Sequence, residues 1–175
     1  MSTDFAKPGY QKGLVIVKHL AMKKYFYIFL LFISSAGFAQ TSNVSFINPA
    51  LVNTPKGYSQ AVTVDMGKST MLILSGQVAL DKDGQLVGKG DVTAQVQQVF
   101  INIKNIVEAA GGSMNDVVKL NYYMTDVSQV QVLRNIRDKF VNTSHPPAST
   151  LVQVNKLFRD DILVEIEATA VIAKK

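Results

Sequence analysis

Cysteine is absent from all 175 residues, which excludes disulfides, thiolate metal sites and a cysteine nucleophile together. Histidine is nearly absent too, with two in the chain. His145 sits directly before Pro146 with no second histidine or Asp–His pattern around it. One imidazole does not hold a metal alone, so His145 reads as a loop residue and no metal site is expected. A membrane-length apolar run is also lacking. The stretch Tyr25–Ile33 is much shorter than the ~20 apolar residues that span about 30 Å of hydrocarbon.

Charge of one sign is scarce outside the N-terminal region. The formal charge is +5, but Lys7, Lys12, Lys18, Lys23 and Lys24 precede residue 40 with only Asp4 against them. The remainder is close to neutral, and it shows no cluster of Lys and Arg of the kind that neutralises several phosphates. Nucleic acid is therefore not an expected partner. The basic N-terminal residues fit another pattern. Met22-Lys23-Lys24, the apolar run, and then Ser34-Ser35-Ala36-Gly37-Phe38-Ala39 read as the n-region, h-region and cleavage site of a signal peptide over residues 22–39. Cleavage after Ala39 leaves Gln40 first. Residues 1–21 read as an upstream extension outside the fold, and residues 40–175 as one domain, a length that suffices for a core without bridges. The expectation is an exported protein, periplasmic or secreted, with no stable membrane insertion after cleavage.

The mature part alternates strand and helix signals. Ala61–Met66 and Thr70–Gln77 form a hairpin pattern around Gly67-Lys68, and Asp81-Lys82-Asp83-Gly84 supplies turn chemistry. That turn resembles the start of a calcium loop, but no glutamate stands near Thr93 to complete one. Asp91 or Thr93 caps a helix whose apolar face is Val96, Val99, Phe100, Ile103, Ile106, Val107 and Ala110, ended by Gly111-Gly112. A strand follows over Val117–Met124, with Val118, Leu120, Tyr122 and Met124 on one side. Ser128 then caps a second helix to about Asn142, carrying Val132, Ile136 and Phe140, and Pro146-Pro147 stops it. Two strands close the chain, Thr150–Val154 and Ile162–Ile172. The last alternates Ile162, Val164, Ile166, Ala168 and Ala170 against Leu163, Glu165, Glu167, Thr169 and Val171.

This order predicts an α+β fold, a mixed sheet with two helices on one face. The other face mixes Tyr, Val and Leu with polar groups and is too apolar for open water, which predicts contact with another subunit.

Several stretches carry a resemblance: Gly57-Tyr58-Ser59-Gln60-Ala61, Leu74-Ser75-Gly76-Gln77-Val78, Glu108-Ala109-Ala110-Gly111-Gly112-Ser113 running into Asp116-Val117-Val118-Lys119, then Pro147-Ala148 and Val164-Glu165-Ile166-Glu167-Ala168. In this order and spacing, from about Ile47 to Ala173, the chain resembles the RidA (YjgF-like) family. The resemblance implies a chorismate-mutase-like fold and a homotrimer with small-molecule clefts between subunits. It also implies hydrolysis of 2-imino acids or their enamine tautomers to 2-keto acids and ammonia, without a cofactor. Tyr58 matches the family's tyrosine near the cleft mouth, Gly76 the glycine whose backbone approaches the ligand, and Glu165 the carboxylate that holds the attacking water.

The departure is at Ser149, where deaminating members carry an arginine after the Pro-Ala step. A guanidinium grips a carboxylate bidentately, and a serine hydroxyl offers one neutral hydrogen bond. Its loss costs roughly 2–5 kcal/mol of binding for a desolvated carboxylate. Weak activity on amino-acid-derived imines is expected. A family asparagine on the second helix aligns with Arg134 or, less well, with Asn135; Arg134 replaces the lost cation if it points into the cleft, and a helix arginine otherwise faces solvent.

From the residues alone, Glu165 could orient water for imine hydrolysis or be a charged residue on a strand face. Glu165 and Glu167 lie on one side of the strand, about 6.6 Å apart by strand rise, a spacing that also permits a glycosidase-like pair, although no sugar-binding aromatic cleft accompanies it. Ser149 as a nucleophile lacks a neighbouring base. The alternative to an enzyme is a non-catalytic trimer of the cell envelope that binds a metabolite or a partner.

Overall fold

The computed structural model describes residues 42–175. The leader, cleavage-site and extension assignments fall on earlier residues and lie outside the described ones. The elements are β1 (Val44–Ile47), β2 (Ala61–Asp65), β3 (Ser69–Leu74), α1 (Val92–Ala109), β4 (Val117–Met124), α2 (Val130–Arg137), β5 (Ala148–Gln153) and β6 (Val164–Ala173). They form a six-stranded sheet in the order β1-β2-β3-β6-β4-β5. Neighbours pair antiparallel except β4 and β5, which are parallel. A parallel pair needs a crossover, and α2 lies in it.

The expected mixed sheet with two helices is present, and the reasons are local. Asp91 caps α1 by accepting from the amides of Thr93 (2.9 Å) and Ala94 (3.2 Å). At the other end the amides of Gly111 and Gly112 bond to the carbonyls of Glu108 (2.9 Å) and Val107 (3.0 Å). Gly111 adopts φ +86° to make that closure possible. The predicted face of α1 is buried from Val96 to Val107 and packs on Leu72, Leu120, Ile166 and Ala170 of the sheet. In β6 every second residue from Val164 to Ile172 is buried, as its alternation predicts.

Beside a β3 that stops at Leu74 and not at Gln77, three features differ from the sequence reading. The first is β1, which that reading lacks; it is four residues long and leaves Phe46 69% exposed, so it carries little periodicity. The second is in β4. Val117 opposes Ala170 and Lys119 opposes Thr169, so Val118 is an extra residue in a bulge and is 44% exposed. Val117 takes its place in the core. The third is α2. Its entry is a 3-10 turn at Val127–Gln129 capped by Asp126, whose carboxylate accepts from the Ser128 amide at 2.9 Å, so Ser128 is not the cap. The helix ends at Arg137, and Phe140, in the turns beyond it, stacks on Phe100 with centroids 5.2 Å apart. Leu133 and Ile136 fill the core instead of a longer fourfold stripe.

Among the described residues the buried polar ones are all carboxamides: Gln60, Gln77, Gln95 and Asn102. Gln95 spends its side chain fully. Its Nε2 donates to the carbonyls of Gly88 (3.1 Å) and Asp161 (2.8 Å), and its Oε1 accepts from the Leu163 amide (2.8 Å). It thus ties α1 to two loops that no strand pairing holds. By contrast the Tyr122 hydroxyl is buried without a hydrogen-bond partner among the described residues. Burial pushes that phenol up to about 12, with the Arg137 guanidinium opposing.

These two sites predict different outcomes in urea denaturation. Gln95→Leu strands three backbone groups and should cost about 2–3 kcal/mol, read as a lower midpoint at unchanged slope. Tyr122→Phe removes a hydroxyl with no well-formed hydrogen bond, the Arg137 guanidinium being the polar group beside it, and should change stability by less than about 1 kcal/mol. A large loss from Tyr122→Phe would mean that the hydroxyl is in fact bonded.

Candidate active site

The site begins where β3 stops pairing regularly. Ile73 opposes Thr169, and the next pairing is Gln77 with Ile166. That is four steps on one strand against three on the other, so one extra residue is accommodated at Ser75-Gly76. Gln77 then closes a narrow bridge, its amide to the Ile166 carbonyl at 2.9 Å and the Ile166 amide to its own carbonyl at 3.0 Å. Gly76 is thereby laid over the side chain of Glu165. A Cβ there would collide with Oε1 and stand 2.7 Å from Cδ of Glu165. The constraint is on Glu165 and not on the backbone, since Gly76 has no positive φ: any side chain at this position would displace the Glu165 carboxylate from its present place.

Buried amides fix the walls. Gln77 Nε2 donates to Gln60 Oε1 (2.9 Å) and to the Ser75 carbonyl (3.0 Å). Gln60 Nε2 reaches the Asn53 carbonyl at 2.6 Å, and its own amide donates to Asn48 Oδ1 at 2.8 Å. The loop from Asn53 to Gln60 is pinned at its base in this way. From the helix side, Asn102 Nδ2 donates to the carbonyls of Val78 (3.0 Å) and Leu80 (2.8 Å). Asp81 organises the next turn by accepting from the amides of Asp83 and Gln85, both at 2.9 Å.

Between these walls is an open cleft of about 890 Å³, lined among others by Asn53, Lys56, Tyr58, Gly76, Phe158 and Glu165. Glu165 is half-buried in it, and its carboxylate has no hydrogen-bond or ion-pair partner among the described residues. Burial raises its pKa first, and the neighbouring Glu167 carboxylate adds to the rise. Glu167 is different: it accepts from Asn121 Nδ2 and from the Tyr123 hydroxyl, both at 3.1 Å. One carboxylate on this strand is held, and the other is free to meet a ligand.

The fold therefore brings Tyr58, Gly76 and Glu165 together. It does not bring Ser149 or Arg134 to them within one chain. Ser149 opposes Leu120, a core residue, so it projects on the helix-bearing side of the exposed edge strand β5 while Glu165 projects on the other. Arg134 is exposed on α2 and does not line the cleft. Lys56, Lys82 and Phe158 were not singled out from sequence; they sit in loops, where no periodicity marks a residue. Among the described residues no group of three or more His, Cys, Asp or Glu side chains is placed to hold a metal ion, and no helix is long and apolar enough to cross a membrane.

A family model described as endoribonuclease L-PSP matches residues 50–172. A RutC family protein of Pyrococcus horikoshii is 39% identical over 122 residues, 67% of this chain and 91% of that one. The crystal structure of RidA from Psychrobacter sp. PAMC 21119 superposes with TM-score 0.64 at 38% identity, covering 73% of this chain and 99% of that chain. The chain belongs to the RidA/YjgF family. Another relative, named 2-iminobutanoate/2-iminopropanoate deaminase, from Dermatophagoides farinae, is 34% identical over 127 residues, 72% of this chain and 94% of its own length. The YjgF gene product of E. coli matches with TM-score 0.62 at 34% identity, over 73% of this chain and 98% of that one. The RidA-like part of the chain thus spans nearly the full length of these relatives.

The raised pKa of Glu165 makes a stability prediction whose sign is fixed. A carboxyl that binds its proton more tightly folded than unfolded destabilises the fold above its folded pKa, and this penalty disappears as pH falls below the ordinary value, 4.5. Glu165→Gln should therefore be more stable than wild type at pH 7, with the gap closing on acidification. Thermal melts from pH 7 to pH 4 test this, and a wild type at least as stable as the variant at pH 7 would contradict the assigned environment.

Proposed function

We propose that this RidA-family protein hydrolyses 2-imino acids or their enamine tautomers to 2-keto acids and ammonia, with weak activity on amino-acid-derived imines. The observation that carries the reading is Glu165, a half-buried and unpartnered carboxylate seated against the bare backbone of Gly76. Water adds to the imine carbon, the carbon–nitrogen bond breaks, ammonia leaves and the carbonyl forms. Glu165 accepts the proton of the attacking water and returns it to nitrogen, a task favoured by a carboxyl whose pKa is raised by burial and by Glu167. Tyr58 contributes at the cleft mouth. The name of the Dermatophagoides relative supports the substrate class.

The functional unit in this reading is a homotrimer with the cleft between subunits. Phe46, Ile73 and Val152 lie on the helix-free face of the sheet by their pairing and are 69%, 45% and 44% exposed, an apolar surface that fits a covering subunit. Ser149, which sits on the opposite side of the sheet from Glu165, would enter a Glu165 cleft only from a neighbouring copy. The protein acts after export, on the strength of the n-region, apolar run and Ala39 site.

Ser149 favours a second reading, in which the trimer keeps the cleft and binds a metabolite without turnover. An assay on imines freshly generated from several amino acids separates the two. Wild type should turn over slowly, Ser149→Arg should gain at least about tenfold, and Glu165→Ala should lose about 10²–10⁴-fold in either background. If Glu165→Ala retains the wild-type rate, the hydrolytic role of that residue is wrong; if neither wild type nor Ser149→Arg turns over while both bind a 2-keto acid, the binding reading holds.

A further inference from the structure

The cleft holds four charged side chains, Lys56, Lys82, Asp83 and Glu165. Two of them cancel: Lys82 Nζ sits 2.8 Å from both carboxylate oxygens of Asp83. Lys56 has no ion-pair or hydrogen-bond partner among the described residues. It stands at the tip of the loop whose base is held by the Gln60–Asn53 hydrogen bond, and Gly57 beside it turns the chain at φ +80°. On this chain's wall of the cleft the uncommitted charges are thus one cation, Lys56, and one anion, Glu165. Neither Ser149 nor Arg134 belongs to this wall.

We propose that Lys56 is the specificity-determining residue that selects a carboxylate-bearing ligand in this cleft. The inference rests on the reading of the cleft as a site for small imino and keto acids. An imino acid carries opposite charges at its two ends when its nitrogen is protonated. Lys56 draws the carboxylate to the loop side, and the iminium end is directed to Glu165, where water must add. The arrangement keeps the substrate carboxylate away from the Glu165 carboxylate, which a cleft without Lys56 would not do. A lysine is a mobile point charge where arginine is a planar fork, so selection for the anion survives while its orientation is looser.

Calorimetric titration of the full chain with 2-oxobutanoate and with the neutral 2-oxobutanamide tests this. Lys56→Gln should weaken 2-oxobutanoate about tenfold and leave 2-oxobutanamide within twofold. Raising the salt should weaken 2-oxobutanoate binding several-fold in wild type and much less in Lys56→Gln, since screening acts on the lysine. Lys104→Gln, a lysine on α1 outside the cleft lining, should bind like wild type. The proposal is overturned if Lys56→Gln binds 2-oxobutanoate as wild type does, if it loses both ligands equally, or if wild type binds neither. Binding that depends on Lys56 in a protein that turns over no imine supports this inference while removing the hydrolase. An active protein whose KM ignores Lys56→Gln does the reverse.

Discussion

The hydrogen bond from Gln77 Nε2 to Gln60 Oε1, buried at 2.9 Å, joins the two segments that make the cleft. One is the irregular loop that ends at Gln60; the other is the bulge where β3 breaks register with β6. Neither has a ladder of its own to hold it. The same two side chains continue outward to Asn53 and back to the Ser75 carbonyl, so the loop base and the bulge move together. A buried amide that loses its partner is costly, which makes this chain of contacts nearly all-or-none. Glu165 and Gly76 meet as they do because the bulge cannot relax.

That these buried contacts use amides and no charges has a consequence for the site. Gln60, Gln77, Gln95 and Asn102 satisfy backbone carbonyls and amides without bringing a net charge into the interior. A buried ion pair in their place would carry a large desolvation cost and a field that reaches the cleft. With neutral supports, the potential at the ligand is set by the few charges on the cleft wall. Glu165 feels chiefly its own burial and Glu167, not the scaffold.

What could be read from the sequence was whatever repeats. The helix α1 declared itself through seven apolar residues in step, a cap and two glycines, and β6 through strict alternation. The misread positions are those where one residue breaks the step. Val118 looks like a core residue because alternation counts it as one, and only the opposing strand reveals that it is surplus. Asp126 outcompetes Ser128 as a cap because its carboxylate reaches the Ser128 amide, a choice that depends on the path of the chain out of β4. For the site, Tyr58, Gly76 and Glu165 were reachable by resemblance. The close approach of Gly76 to the Glu165 carboxylate was not, since it comes from a register shift between strands about ninety residues apart. Lys56 and Phe158 lie in loops whose partners are remote in sequence, so no local pattern marks them.

Glu165 and Glu167 show how far position alone falls short of chemistry. They share a strand, a face and a residue type, and sequence spacing treats them as a pair. Asn121 and Tyr123, directly across on β4, both bond to Glu167, and this leaves Glu165 without a donor although Tyr123 is its own cross-strand neighbour. Both hydrogen bonds to Glu167 end on Oε2, and together they hold that carboxylate against β4. Glu165 is half-buried and unpaired, and its environment favours the protonated form, which suits the role proposed for it. The difference between two identical side chains is decided by the neighbouring strand, and the bulge at Ser75-Gly76 then lays bare backbone against the unpaired one.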